Sequence, residues 1–304
     1  MSSNVTGQCK TKSISSNSLG VLFILLSGTA FGLLPWFARI AYDHGADPLG
    51  MLMVRFIFAS LMMLVTLVVV RRSGALPRGR LAIQLFLLGA AGYAPQASFF
   101  FFGVDRIDIS LATVIFYTYP VFVVIASWLF LKHRPSVPVI VCLCTAVLGA
   151  GLTAGQVRSG SIVGVLLMLG AALWYTGYIV FASRIVHIAG ALTSLTYVMI
   201  GAAVAHTILF VVLRPSLPSD ATGWWAIAAA ALIGTVVAMG FFFAGVSRVG
   251  PGEAAVLSTI EPVVSIVVGV TALNEQLTGI RLAGAACVLV SVGLLAQLSR
   301  ADTK

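Results

Sequence analysis

The chain has 304 residues, of which 60% are hydrophobic and only 9% are charged, and its mean hydropathy is +1.07. Soluble domains carry about 25% charged residues, so this composition excludes a soluble globular protein and predicts a chain that lies in a lipid bilayer. The formal net charge of +9 does not indicate nucleic-acid binding, because the basic residues are scattered over short connections instead of forming one stripe.

Apolar runs of about 20 residues, the length that crosses a hydrocarbon core of ~30 Å, recur along the whole sequence. They predict an all-α membrane protein with ten transmembrane helices. In chain order the predicted spans are 19–41, 48–70, 81–103, 109–131, 136–155, 161–182, 192–213, 223–246, 251–272 and 279–297. The connections between them are too short to form a soluble domain.

The lysines and arginines are distributed unevenly between the two sides of the predicted bundle. The terminal tails, 1–18 and 298–304, and the even-numbered connections hold twelve of the 18, whereas the odd-numbered connections and the span ends beside them hold five. Cytoplasmic segments of membrane proteins carry more basic residues than the segments on the other side. The distribution therefore predicts that both tails lie in the cytoplasm.

Two stretches of the chain repeat each other: FFFFGVDRIDISLATVIFYTYPV (99–121) and FFFAGVSRVGPGEAAVLSTIEPV (241–263). They align without a gap, and ten of 23 positions are identical. The identities include a glycine, an arginine and a proline in each copy: Gly103/Gly245, Arg106/Arg248 and Pro120/Pro262. The offset of 142 residues predicts two five-helix repeats, 19–155 and 161–297. Because five is odd, the second repeat enters the membrane from the opposite side, an inverted-topology arrangement found in many secondary transporters.

Pro120 and Pro262 lie near the middle of the fourth and ninth predicted spans. A proline inside a helix removes a backbone hydrogen bond and clashes with the preceding turn, and the freed carbonyl needs a partner within the hydrocarbon core. The two prolines therefore either kink their helices for packing or break them beside a cavity, where the freed backbone contacts a ligand.

Glu261 precedes Pro262 near the middle of the bilayer, and its counterpart in the first repeat is Tyr119. An ionised carboxylate that faces lipid costs at least ~2.5 kcal/mol, so Glu261 is expected to face the interior of the bundle. Its candidate roles are binding of a substrate ammonium group, exchange of a proton for substrate, and a structural ion pair or hydrogen bond.

Two further ionisable residues lie inside predicted spans. Arg55 is the one lysine or arginine well inside a predicted span, since Arg39 and Arg281 lie near the ends of theirs. Its alternatives are snorkelling to the membrane interface, structural pairing, and contact with a substrate carboxylate. His206 is of a residue type that titrates near neutral pH. It is either a hydrogen-bonded structural residue or part of a functional site.

Aromatic residues with a few polar neighbours are candidates for the wall of a binding cavity. They are Phe99, Tyr117, Tyr119, Trp174 and Tyr178, with Gln96 and Ser258 as polar members. For each aromatic residue the alternative is lipid contact or core packing. A large apolar cavity with few polar groups suits hydrophobic or amphipathic solutes. The sequence has no P-loop and no H-E-x-x-H grouping, so no cofactor, no metal and no direct use of ATP is expected.

The stretch AVLSTIEPVVSIVVGVTALNEQLTGIRLAGAACVLVSVGLL (255–295) resembles the second half of an EamA-type member of the drug/metabolite transporter superfamily. The matching residues are Pro262, Asn274, Glu275, Gln276, Leu277, Gly279, Gly284 and Gly293. The first half carries the same plan in YTYPVFVVIASWLFLKHRPS (117–136), but with His133 at the position that corresponds to Glu275. The overall plan is also similar to bacterial amino-acid and metabolite exporters, including aromatic amino-acid exporters of the YddG type.

The resemblance implies a multi-pass protein of the bacterial inner membrane that exports a small metabolite by alternating access. Amino acids with aromatic or hydrophobic side chains are the favoured substrates, bound at the bilayer midplane between the two repeats. Export of other amphipathic solutes or drugs, a coupling proton, and a homodimer stay open. A channel would need a polar, water-filled lining, and an intramembrane enzyme would need clustered catalytic groups. The predicted spans offer too few polar residues for the first and no such cluster for the second.

Overall fold

The computed structural model describes residues 16–70, 76–131, 137–154, 162–249, 254 and 257–301. Over these residues the regular secondary structure is helical and groups into ten consecutive elements. They are α1 (Ser16–Gly32 and Leu34–Asp43), α2 (Pro48–Val70), α3 (Arg80–Arg106), α4 (Ile109–Phe116 and Tyr119–Leu131), α5 (Val137–Ala154), α6 (Ile162–Ala189), α7 (Ala191–Leu213), α8 (Ala221–Val249), α9 (Ile260–Ala272) and α10 (Gly279–Ala301). The predicted all-α fold is confirmed.

The lengths of these helices fit a protein that crosses the membrane many times. Within the described residues, six helices are long and apolar enough to span a bilayer: α1, α2, α3, α6, α7 and α8. Each of the other four elements, α4, α5, α9 and α10, contains a shorter apolar helical segment of 10–17 residues. α4 is interrupted before Pro120, and most of 251–256, the predicted start of the ninth span, lies outside the described residues. Residues 1–15 and 302–304 of the predicted tails lie outside them as well.

The sixth helix is longer than the sequence predicts. The predicted span ends at 182, but α6 continues to Ala189, so the charge of Arg184 does not end it. The end comes at Gly190, whose φ is +78°. Only a residue without a Cβ adopts this conformation at little cost, and for this reason glycine commonly follows a helix. α7 begins at the next residue, Ala191.

α1 crosses α8 in the same way that α6 crosses α3. A Cβ atom at Gly20 of α1 would lie 2.7 Å from the Cβ of Arg248, and one at Gly164 of α6 would lie 3.1 Å from the Cβ of Arg106. Small residues allow two helix backbones to approach this closely. Because Arg106 and Arg248 are an aligned pair of the sequence repeat, the two crossings are equivalent. The predicted architecture of two inverted five-helix repeats is therefore confirmed.

α3 and α8 each contain one π-helical turn, at Leu88–Tyr93 and Leu232–Val237. The turns begin 144 residues apart, at corresponding points of the two repeats. Turns of this kind are rare and often lie at functional sites. They bring Tyr93 and Thr235 toward Arg55 of α2. The sequence does not predict them, because a widened turn leaves the hydropathy of a helix unchanged.

A substitution at Gly201 of α7 tests the close approach of α7 to α3. A Cβ atom at this position would overlap the carbonyl oxygen of Phe86, so Gly201→Ala must push the two helices apart. We expect this change to lower the free energy of unfolding by about 1–3 kcal/mol, the usual cost of overpacking. Gly177→Ala in α6 is the matched control, because a Cβ there would meet nothing within 4 Å. Thermal unfolding in detergent should show a lower midpoint only for Gly201→Ala, and equal midpoints would contradict the close crossing.

Candidate functional site

A cavity of about 460 Å³ lies between the two halves of the bundle. Its wall combines residues from α1, α2, α3 and α4 with residues from α6, α7, α8 and α9. Seven residues of the predicted site line it: Arg55, Gln96, Tyr117, Tyr119, Tyr178, Ser258 and Glu261. The rest of the wall is mainly aromatic and aliphatic. Both repeats therefore contribute to one largely apolar chamber with few polar groups.

The two broken helices are interrupted at corresponding positions. α4 stops after Phe116 and resumes at Tyr119, and α9 begins at Ile260 after a turn at 258–259. Pro120 and Pro262 each lie in the first turn of the resumed helix. A proline is tolerated there, because the backbone N–H groups of that turn have no helical acceptor. The prolines position the breaks but are not among the residues that line the cavity.

The breaks in α4 and α9 meet at Tyr117. Pro262 cannot donate to the carbonyl of Ser258, the residue four positions earlier. The Tyr117 hydroxyl lies 3.0 Å from this carbonyl oxygen and 2.9 Å from Oε2 of Glu261, so it shares its proton between two acceptors of the other repeat. The backbone N–H of Glu261 also donates to the Ser258 carbonyl at 3.1 Å. One tyrosine thus provides a partner for both the freed backbone and the buried carboxylate.

Aromatic side chains form one side of the cavity. Tyr175 packs against Tyr119 with ring centroids 5.0 Å apart and against Tyr178 at 5.8 Å, and Tyr93 packs against Tyr178 at 5.6 Å. Eight aromatic lining residues are absent from the predicted set: Phe31, Tyr93, Phe100, Phe101, Phe116, Tyr175, Phe242 and Phe243. The spacing of Tyr175 and Tyr178 places both on one face of α6, which is the signal that could have identified Tyr175.

Phe99, Trp174 and His206 do not line the cavity. The rings of Phe99 and Trp174 contact each other at 6.1 Å, and Trp174 is 45% exposed on the outside of the bundle. His206 is fully buried, with Nδ1 2.9 Å from the carbonyl oxygen of Ala202 and Nε2 3.1 Å from Oγ of Ser98. Both nitrogens of this imidazole are engaged, Nδ1 within α7 and Nε2 with α3, so the geometry favours the structural alternative.

Arg55 is buried in the wall of the cavity and is 1% exposed. It therefore does not snorkel to the membrane interface. Its Nε donates to Oγ1 of Thr235 at 3.1 Å. Its guanidinium carbon lies 5.1 Å from the ring centroid of Phe56 and 5.0 Å from that of Phe101. These contacts fix the side chain at the boundary between the two repeats.

Polar contacts join the two repeats at one face of the bundle. We call the face with the α1–α2, α3–α4, α7–α8 and α9–α10 connections the far face, and the opposite face the basic face. At the far face, Nδ1 of His44 lies 2.6 Å from Oδ2 of Asp220, and the N–H of Asp47 donates to the carbonyl of Ser216 at 3.1 Å. The N–H of Gly223 and the imidazole of His44 hold the pKa of Asp220 below its usual range.

A second group of contacts closes the far face between α4 and the α9–α10 connection. Glu275 accepts hydrogen bonds from the N–H of Ile109 at 2.6 Å and from the N–H and hydroxyl of Ser110. A carboxylate at the start of a helix also interacts favourably with the helix dipole. Arg281 donates to Oδ2 of Asp108 at 2.6 Å. Burial raises the pKa of Glu275, although its hydrogen bonds act in the opposite direction.

The cavity extends toward the basic face. Its lining includes Val186 and Ser194, on either side of the α6–α7 connection, and Val246 near the end of α8. The charged contacts between the repeats that the structure describes lie at the far face. In the part of the chain that the structure describes, polar contacts therefore close the far face, and the cavity is directed to the basic face.

Tyr117→Phe tests the contact between the broken helices. Loss of the hydroxyl leaves the Ser258 carbonyl and Glu261 without this donor, so we expect the free energy of unfolding to fall by about 1–3 kcal/mol. Tyr119→Phe is the control, because its ring contacts with Tyr117 and Tyr175 remain and the Tyr117–Glu261 hydrogen bond is intact. Unfolding of both variants in the same detergent checks the difference. A Tyr117→Phe protein as stable as Tyr119→Phe would show that the hydroxyl does not hold the breaks together.

Known proteins match the chain over both repeats. The model of the EamA-like transporter family matches residues 18–155 and 162–297. The uncharacterized transporter YcbK of Bacillus subtilis is 22% identical over 279 residues, covering 87% of this chain and 88% of that protein. The uncharacterized transporter sll1319 of Synechocystis sp. is 24% identical over 206 residues, 64% of this chain and 61% of that protein. A solved crystal structure shares the fold, with a TM-score of 0.67 and 17% sequence identity, covering 93% of this chain and 98% of that chain. The chain belongs to the EamA-like transporter family.

Proposed function

We propose that this protein is a secondary transporter that exports small metabolites by alternating access. The family and the two relatives named as transporters support the movement of small solutes across a membrane. Two inverted repeats can exchange conformations and so expose one central site to each face in turn. The closed far face and the cavity directed to the basic face fit one of the two states of such a cycle.

The proposed location is the bacterial inner membrane, with both termini in the cytoplasm. The tails and even-numbered connections carry twelve lysines and arginines against five on the other side, and basic residues are enriched on the cytoplasmic side. In this orientation the basic face is cytoplasmic. The conformation described above is then the one that takes up substrate from the cytoplasm, as export requires.

The proposed substrates are amino acids, with aromatic or hydrophobic side chains favoured. The observation that carries this proposal is Glu261, the carboxylate in the wall of an otherwise aromatic cavity. A volume of about 460 Å³ is in the usual range for small-molecule sites. Aromatic rings contact one another favourably in offset or edge-to-face arrangements, which suits an aromatic side chain. Glu261 has two candidate tasks, binding the substrate ammonium group and exchanging a proton.

Other amphipathic solutes, drugs included, are the alternative substrates, because the apolar wall by itself does not require an amino acid. Competition separates the two classes. If Glu261 binds the ammonium group of an amino-acid substrate, transport should be inhibited by phenylalanine and by phenethylamine, which both carry an ammonium group. A general exporter of apolar compounds should be inhibited equally well by a neutral analogue such as 3-phenylpropanol.

Glu261→Gln tests the role of the carboxylate, since it keeps the shape of the side chain and removes the charge. We expect saturable transport of radiolabelled phenylalanine in proteoliposomes to fall by at least about 10-fold, the equivalent of one lost charge-assisted hydrogen bond. Tyr119→Phe, which changes the same wall without removing a charge, should keep most of the rate. Equal rates for Glu261→Gln and the unmodified protein at every pH would overturn the proposed role.

A pH gradient in the same assay distinguishes the two tasks of Glu261. If the carboxylate exchanges protons, the gradient drives phenylalanine against its concentration in the unmodified protein but not in Glu261→Gln. If the carboxylate binds the ammonium group alone, the gradient has no effect, and Glu261→Gln weakens phenylalanine binding more than binding of 3-phenylpropionate.

A further inference from the structure

Arg55 is a buried cation without a counter-ion in the part of the chain that the structure describes. It is 1% exposed, and its Nη1 and Nη2 atoms have neither solvent contact nor a hydrogen-bond partner there. The ion pairs of the described residues do not include it. A buried charge that is not paired costs several kcal/mol, so this arginine lowers the stability of the empty protein.

The guanidinium is nevertheless held in a defined position. Its Nε donates to Thr235, whose hydroxyl in turn donates to the carbonyl of Ala230 at 3.1 Å. Thr235 is fully buried within the π-helical turn of α8. Tyr93, the last residue of the equivalent turn in α3, interacts with Arg55 electrostatically. The two rare turns of the fold therefore both contribute to the surroundings of one side chain.

The two aromatic neighbours support the cation but do not neutralise it. Phe56 and Phe101 lie about 5 Å from the guanidinium carbon, and each cation–π contact provides on the order of 1 kcal/mol. The Nε–Thr235 hydrogen bond fixes the plane of the guanidinium and leaves Nη1 and Nη2 without acceptors. Two adjacent donors in one plane match the two oxygens of a carboxylate, which is the pairing that arginine makes best.

We propose that Arg55 is a carboxylate-binding subsite of the cavity and that the transported solutes therefore carry a carboxylate group. The inference rests on the proposed transport of small organic solutes and adds the chemical group that they must share. A solute carboxylate supplies the counter-ion that Arg55 lacks among the described residues, after a local movement that exposes the two Nη atoms.

The subsite is separate from Glu261. A chain of ring contacts runs from Arg55 through Phe101, Phe100 and Phe116 to Tyr117, with centroid separations of 5.2, 5.1 and 6.4 Å between successive rings. Tyr117 then contacts Glu261. The apolar part of a solute whose carboxylate is bound at Arg55 would lie along this aromatic strip. Arg55 and Glu261 thus recognise different groups of the solute.

Ligand-induced thermal stabilisation of the purified protein tests the subsite without transport. The ligands form two pairs that differ in the carboxylate: phenylalanine against phenylalaninamide, and 3-phenylpropionate against 3-phenylpropionamide. We expect the unmodified protein to bind each acid about 10- to 100-fold more tightly than its amide, the range for a charge-assisted bidentate pair. In Arg55→Gln the acid and the amide should bind within about 2-fold of each other.

Two further variants keep the test decisive. Arg55→Met should raise the unfolding midpoint of the ligand-free protein, because it removes an uncompensated buried charge, while abolishing the preference for the acids. Arg39→Gln is the control, since Arg39 lies at the end of α1, is partly exposed and pairs with Asp43. It should keep the full preference.

Three results would overturn the subsite: no preference for the acids in the unmodified protein, a preserved preference in Arg55→Gln, or stabilisation that depends on chloride instead of the solute carboxylate. Failure of the transport proposal would look different. In that case the acids would stabilise the protein in an Arg55-dependent manner, but proteoliposomes would show no saturable flux.

Discussion

The hydrogen bonds of Tyr117 to Glu261 and to the Ser258 carbonyl are the contacts on which the centre of the molecule depends. A hydrocarbon core contains no water, so a carbonyl freed by a proline must find a partner within the protein. Pro262 cannot donate to the Ser258 carbonyl, which accepts instead from the N–H of Glu261 and from the hydroxyl of Tyr117 in the other repeat. For this reason the two breaks face each other at the interface of the repeats. The cavity lies there because both interrupted helices have to meet at that point.

The fold follows largely from the sequence, and the reasons are physical. Twenty-residue apolar runs reveal helices that cross a bilayer. Gly20 and Gly164 show in the structure that the two repeats share one close helix crossing. The breaks follow from Pro120 and Pro262. The π-helical turns do not follow, because they alter backbone geometry without altering hydropathy. Contacts at the far face, such as that of Glu275 with the start of α4, join residues distant in the sequence and leave no local pattern.

The candidate site is less predictable than the fold, because lipid and an apolar cavity select the same side chains. Trp174 and Tyr175 are neighbours in α6, yet Trp174 is exposed on the outside and Tyr175 lines the cavity. Polar residues give a better signal, since Glu261 and Arg55 both lie in the wall of the cavity. Their hydrogen-bond partners, Tyr117 and Thr235, come from the opposite repeat in each case. A charged residue inside an apolar span can therefore be identified from the sequence, but only the three-dimensional packing shows which groups surround it.

The central claim is that the far face, closed in this conformation, must open during transport. The backbone N–H of Ser219 donates to the carbonyl of His44 at 2.9 Å, so cysteines at these two positions lie within reach of a disulfide. The measurement is phenylalanine flux through a His44→Cys/Ser219→Cys protein in which the four native cysteines are replaced by serine, with disulfide formation checked by mass spectrometry. The account predicts that oxidation stops the flux and that a reductant restores it. Flux through the fully cross-linked protein at the rate of the reduced protein would contradict it.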